Sequence, residues 1–296
     1  MRLLAALLMS VFTLAAAEPD SITLFPKGVP GGKRELGPEI NATTAKDNVI
    51  MGRAAIRLAN VTEPSLRFYP AAASINSGAA VIVFPGGGYR ILAYDLEGTE
   101  VCTFLNSIGV NCALVKYRVP EMPNVPRYEA PLQDAQRAVG YVRSRAAEWH
   151  LNAGKIGVLG FSAGGHLGAM ISNSFSKRTY DKQDAADDVS CRPDFAILIY
   201  PAYLAGGEKL DKLVPEITVT PNTPPTFMTQ TEDDPVHVEN ALVYARALKD
   251  QKVPVEMHIF SKGGHGYGLR ADPEKPVTQW PHLVDGWLKS QHIIGR

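Results

Sequence analysis

From about residue 79 onward the chain alternates strand-length runs with longer stretches in which apolar residues recur every three or four positions. Ala79 to Phe84, Val110 to Tyr117, Phe195 to Tyr200 and Val255 to Phe260 read as strands, and Ala79 to Phe84 and Phe195 to Tyr200 have the continuous hydrophobicity of strands covered on both faces. Thr226 to Thr231 reads as a further strand, and the run from Lys155 ends at Gly160 as another. Between them, Glu97 to Ile108 (closed by Gly109), Ala130 to Leu151, Val238 to Lys249 and Gln279 to His292 read as helices. Strands alternating with helices at this spacing predict βαβ units, hence an α/β fold with a mostly parallel central sheet and helices on both faces. From Glu18 to about Ala73 the residues are mixed, with Pro and Gly clusters between Pro26 and Gly32. Short runs at Ile22–Leu24 and Leu66–Tyr69 predict antiparallel strands leading into the core, and no chemistry is visible there.

Composition narrows the picture. The chain has 296 residues, 45% of them apolar and 20% charged, which is enough to bury a sizeable core, and no composition break or repeat divides residues 18–296 into more than one domain. Lys plus Arg equals Asp plus Glu at 30 each. That balance removes the basic field expected of a nucleic-acid binder and points to a neutral or small substrate. The first residues have one cation at Arg2, an apolar run, and Ala15-Ala16-Ala17 before Glu18. This pattern predicts a secretory signal cleaved after Ala17, with the mature protein secreted or periplasmic and carrying no membrane anchor. Of the three cysteines, Cys102 falls on a predicted helix and Cys112 on the following strand. Their layers are expected to lie farther apart than the roughly 7 Å that a bridge tolerates between Cα atoms, so no structural disulfide is expected.

Candidate chemistry follows the predicted strands. Lys155 to Leu167 reads K-I-G-V-L-G-F-S-A-G-G-H-L, a Gly-x-Ser-x-Gly pattern in strand-turn-helix context that exposes the Ser162 hydroxyl on a sharp turn. Alone this means little, because three fixed positions match by chance in about one chain of this length in ten. Three further clusters also follow strands, at the carboxyl ends where open sheets bind ligands. Gly86-Gly87-Gly88 lets backbone N–H groups approach one oxygen, so Gly87, Gly88 and Ala163 are the expected oxyanion donors. Glu232-Asp233-Asp234-Pro235-Val236 supplies a carboxylate: an Asp-x-x-Val spacing selects Asp233, an Asp-Pro-Val reading selects Asp234. The first is preferred, with the other aspartate capping the next helix. His265, among glycines on a loop expected to be mobile, completes the order Ser…Asp…His and would take the Ser162 proton. Tyr89, Arg90, Tyr203 and Tyr267 flank the site as candidate sugar contacts, whereas His166 reads as packed within the start of the helix. The remaining histidines lack metal-ligand spacing, no Cys-x-x-Cys pair exists and no glycine pattern fits a nucleotide, so neither a metal nor another cofactor is expected.

At Pro85–Tyr89, Gly160–His166, Asp233–Val236 and Gly264–Gly266 the chain resembles the α/β-hydrolase superfamily, and within it the bacterial secreted esterases grouped with acetylxylan and feruloyl esterases. Pro85 stands where lipase-type relatives carry a histidine before the glycines, which argues against the hormone-sensitive-lipase branch. The resemblance implies an α/β-hydrolase fold, a triad of Ser162, Asp233 and His265, and hydrolysis of short-chain, chiefly acetyl, esters of small-molecule or oligosaccharide substrates. A feruloyl esterase is the alternative within the same group, and two other readings are a peptidase related to the prolyl oligopeptidases, which share the Asp-Asp-x-Val signature, and a catalytically silent hydrolase-fold binding protein. The first relies on a propeller domain that this length does not accommodate, and the second usually lacks a triad member.

Overall fold

The computed structural model of the protein describes residues 18–45, 47 and 49–295. The expected export segment Met1–Ala17 lies outside them. One eight-stranded sheet organises the chain. Its strands are β1 (Ser21–Thr23), β2 (Ser65–Tyr69), β3 (Ala80–Phe84), β4 (Asn111–Lys116), β5 (Ile156–Phe161), β6 (Ala196–Ile199), β7 (Thr226–Thr231) and β8 (Val255–Phe260). They lie in the order β1-β2-β4-β3-β5-β6-β7-β8. β1 and β2 pair antiparallel, as their short mixed runs suggested, and from β4 to β8 every neighbour is parallel. β5 thus sits in the middle, and the chain leaving it emerges at the centre of the sheet's carboxyl edge.

The continuous apolar runs are explained by what covers them. Along β3, Ala80, Ile82 and Phe84 pack into one hydrophobic cluster while Val81 and Val83 pack into another, the period-2 alternation of a strand buried on both faces. Helices α2 (Glu129–Ser144), α3 (Ala163–Asn173) and α4 (Glu239–Asp250) contribute Leu132, Leu167 and Tyr244 to the first cluster. Helices α1 (Glu100–Ser107) and α5 (Trp280–Ser290) contribute Leu105, Trp287 and Leu288 to the second.

Three local expectations change. The helix expected to run to Leu151 stops at Ser144, and the chain then turns, with His150 at φ 53°, to enter β5. The helix expected from Glu97 opens with a single π turn over Asp95–Thr99 before α1. Finally, Cys102 and Cys112 form a disulfide, with Cα atoms 5.2 Å apart, against the expectation of none. The reason is local: Ile108–Val110 turn the chain so tightly that α1 lies directly on β4, and both cysteines are buried at that contact. Layer spacing in general did not apply to a helix and strand joined by so short a turn. Cys191 remains a buried free thiol.

Candidate active site

Ser162 occupies the turn between β5 and α3 with φ 52° and ψ −117°, a backbone conformation costly for a residue with a Cβ. The flanking sequence is what permits it. A Cβ on Gly160 would lie 2.0 Å from the Gly164 carbonyl oxygen, and one on Gly164 would lie 2.0 Å from the Phe84 carbonyl oxygen. Glycine at the first place lets the turn close on the start of α3, and glycine at the second lets α3 start against the end of β3, which is the physical content of the Gly-x-Ser-x-Gly spacing.

Two other strand ends meet the serine. The Ser162 hydroxyl lies 2.8 Å from His265 Nε2, and His265 Nδ1 lies 2.8 Å from Asp234 Oδ2. Asp234 is buried, and its other oxygen accepts the Val236 N–H at 2.7 Å. Asp233, the preferred partner in the sequence, points away from the imidazole. Its exposed carboxylate accepts the N–H groups of Gly263 and Gly264 at 2.9 and 2.8 Å, and these bonds, Gly264 first, hold its pKa below the usual carboxylate range. The chain turns after β7, with the Asp234 N–H donating to the Thr231 carbonyl at 3.3 Å, and this turn buries Asp234 beneath His265 while Asp233 stays exposed. Neither aspartate caps α4, which begins after Val238 without a side-chain cap.

The histidine loop, whose glycines suggested mobility, is hydrogen-bonded on both sides. Asp233 holds its entry, Thr231 Oγ1 donates to the Gly264 carbonyl at 2.7 Å, and on the far side Trp280 Nε1 donates to the Gly268 carbonyl at 2.9 Å. The glycine loop after β3 is held as firmly. The Pro85 carbonyl accepts the Tyr117 hydroxyl at 2.5 Å, and the Gly86 and Gly87 carbonyls accept backbone N–H groups of Ala93, Arg90 and Ile91. The Gly86 N–H donates to Glu97 Oε2 at 2.7 Å. Among the described residues, the N–H groups of Gly87, Gly88 and Ala163 donate to no protein acceptor.

A cleft of about 440 Å³ opens over Ser162 and His265. Gly87, Gly88, Ile91 and Glu97 line it on one side, and Asp47, Ile50 and Arg57 on another. The last three come from the N-terminal segment in which no chemistry was visible. Their sequence carries no signal, because a hairpin (Val49–Ile50 with Arg53–Ala54) reaches the cleft only through tertiary packing. Glu97 was equally hidden, since an acidic residue in a helix's first turn ordinarily reads as solvated.

Two of the candidate sugar contacts, Tyr89 and Tyr267, are withdrawn into the core. Tyr89 is fully buried, its hydroxyl 2.8 Å from His166 Nδ1, and Tyr267 is buried against Tyr200. The Arg90 side chain is largely exposed, 3.7 Å from Glu121. Tyr203 is sandwiched between the Tyr89 ring and the Arg127 guanidinium, which lies 4.5 Å from its centroid. His166 is packed as expected, and burial, with the nearby Arg127 charge second, pushes its pKa down to about 3.

A serine on a strained strand-to-helix turn at the head of this sheet, with a histidine and an acid from later strands, defines a hydrolase class that comparison makes explicit. The BD-FAE family matches residues 67–198 and the prolyl oligopeptidase family matches residues 205–291. The chain belongs to the α/β-hydrolase superfamily and groups with its serine esterases. The crystal structure of an acetyl ester-xyloside bifunctional hydrolase from Caldicellulosiruptor lactoaceticus superposes with TM-score 0.71 at 33% identity, covering 96% of this chain and 100% of that one. An acetylxylan esterase of Xylanibacter ruminicola is 30% identical over 72% of this chain and 46% of its own length. Endo-1,4-beta-xylanase B of Butyrivibrio fibrisolvens is 32% identical over 65% of this chain and 33% of its own length. The chain therefore spans between a third and a half of these two curated relatives.

Proposed function

We propose that the protein is a serine esterase that removes short acyl groups, acetyl foremost, from carbohydrate esters. The observation that carries this reading is the continuous Ser162–His265–Asp234 hydrogen-bonded chain at the head of the cleft. In the proposed cycle Ser162 Oγ attacks the ester carbonyl while His265 Nε2 takes its proton, and Asp234 steadies the imidazolium through Nδ1–H. The oxyanion is held by the free N–H groups of Gly87, Gly88 and Ala163. As the intermediate collapses and its C–O bond to the sugar breaks, His265 gives its Nε2 proton to the departing sugar oxygen, leaving an acyl-Ser162. Water, deprotonated by the same imidazole, attacks that acyl group and releases the carboxylic acid and Ser162. No metal or cofactor is called on.

Acetyl and carbohydrate enter from the names of the relatives and from the paired Asp47 and Arg57 on the cleft wall, whose 3.3 Å contact offers both donors and acceptors to hydroxyl groups. Residues 18–296 are proposed to act as one domain, exported by the segment ending at Ala17. The match of residues 205–291 to the prolyl oligopeptidase family keeps a peptidase as the second reading, because that segment carries both Asp234 and His265.

The test is covalent labelling and turnover. A fluorophosphonate probe should label the folded protein and fail on Ser162→Ala, which should also lose hydrolysis of p-nitrophenyl acetate. Acetylated xylan should be cleaved faster than feruloylated sugars, longer acyl esters or prolyl peptides. An unlabelled wild type, or a Ser162→Ala protein of full activity, removes the esterase reading, and faster peptide cleavage replaces it with the second.

A further inference from the structure

Glu97 is a carboxylate in an unusual place. It sits in the π turn that precedes α1, is 3% exposed, and lines the cleft beside Ser162 and His265. Among the described residues no lysine or arginine pairs with it. Its two oxygens are instead divided between the two loops of the site. Oε2 accepts the Gly86 N–H at 2.7 Å, at the start of the glycine loop. Oε1 accepts the hydroxyl of the fully buried Tyr200 at 2.7 Å, and that hydroxyl accepts the Gly268 N–H at 3.0 Å, on the histidine loop.

Gly268 N–H occupies a lone pair of the Tyr200 oxygen, so the single phenolic hydrogen is free to go to Glu97, and the Gly86 N–H can only donate. Both carboxylate oxygens accept in this arrangement, and these bonds favour the anion. Burial pushes the Glu97 pKa up, and the hydrogen bonds from Tyr200 and Gly86 and the charge of His265 pull against that rise. The approach of Glu97 to Gly86 is also close: a Cβ on Gly86 would lie 2.6 Å from Glu97 Oε2 and 2.9 Å from the Ser162 Cβ.

We propose that Glu97 is a positioning residue for acyl transfer, one buried carboxylate that sets the oxyanion donors and the histidine loop relative to Ser162 and faces the imidazolium formed at His265. With Gly86 N–H committed to Glu97, the next two N–H groups, of Gly87 and Gly88, are left for the oxyanion. On the other oxygen, Tyr200 carries the constraint to Gly268 and lays its ring 4.9 Å from the His265 ring, centroid to centroid. The inference rests on the serine-esterase reading above. The groups facing His265 are Asp234 and Ser162 by hydrogen bond, Tyr200 by its ring and Glu97 by charge, with Tyr267 behind Tyr200.

The experiment compares Glu97→Gln and Glu97→Ala with wild type, using p-nitrophenyl acetate, with active sites counted by fluorophosphonate titration so that misfolded protein does not enter the rate. Glu97→Ala should lower kcat per titrated site about a hundredfold, the scale of losing one oxyanion donor, with little change in KM. Glu97→Gln keeps an oxygen for Gly86 but loses the charge. It should lose about tenfold in kcat with KM little changed. If Glu97→Ala does not fold, Glu97→Gln alone decides. Normal kcat per titrated site in Glu97→Gln overturns the proposal, as does a loss confined to KM or to the number of titratable sites. A wild type that neither labels nor turns over removes the esterase reading, and this proposal with it.

Discussion

Replacing Asp234 by asparagine separates the two adjacent aspartates more sharply than any other change. Asp234 Oδ1 accepts the Val236 N–H at 2.7 Å and Oδ2 faces His265 Nδ1 at 2.8 Å. An asparagine must keep its carbonyl oxygen on the Val236 side, since two N–H groups cannot face each other. Its NH₂ then points at His265 Nδ1 and forces that nitrogen to accept, which places the ring proton on Nε2, opposite Ser162. The imidazole is then the wrong tautomer to receive the serine proton, a defect worth about 10⁴ in kcat, or about 5 kcal/mol. Asp233→Asn makes the opposite prediction. Both backbone donors of the histidine loop bond to one oxygen, Asp233 Oδ1, and an amide oxygen can replace it. The loss should stay within about fivefold, the scale of weakening charge-assisted bonds at an exposed site. The assay is kcat on p-nitrophenyl acetate per fluorophosphonate-titrated site at pH 7 to 8. A larger loss in Asp233→Asn than in Asp234→Asn would refute the assignment of the acid and the tautomer argument together.

Other expectations concern stability. His166 is held neutral with its pKa near 3, below the roughly 6.5 of an unfolded histidine, so between those values the unfolded chain binds a proton that the folded chain does not. Stability from this group is complete above about pH 6.5 and falls with decreasing pH at up to about 1.4 kcal/mol per unit. Urea titrations over that range should show the slope reduced in His166→Phe, and an unchanged slope would assign it to other groups. Gly164→Ala should cost about 3 kcal/mol or more, or prevent folding, because its Cβ meets the Phe84 carbonyl oxygen at 2.0 Å; a normal melting temperature would contradict the crowding. The Cys102–Cys112 bridge closes a loop of sequence separation 10, so the double Cys→Ala variant should lose about 2–3 kcal/mol in urea unfolding, and an unmoved midpoint would show that the bridge does not form in solution.

Local pattern determined much of this molecule. Strands covered on both faces must be apolar at every position, so β3 and β6 announced themselves as continuous runs, and β7 and β8 matched their expected limits residue for residue. The glycines around Ser162 are dictated by backbone contacts at one turn, Gly160 against Gly164 and Gly164 against Phe84 of the neighbouring β3, which is why a five-residue pattern could locate that turn. What the pattern could not carry is direction in space. Asp233 and Asp234 are chemically identical neighbours, and only the turn after β7 decides which faces His265. The Cys102–Cys112 pairing depended on how closely one short turn lays α1 on β4. Glu97, Asp47 and Arg57 reach the cleft from the π turn before α1 and from the N-terminal segment, through contacts between residues far apart in sequence. Periodicity records which face of an element is buried. It does not record which distant loop that face will meet, and the site is assembled from those meetings.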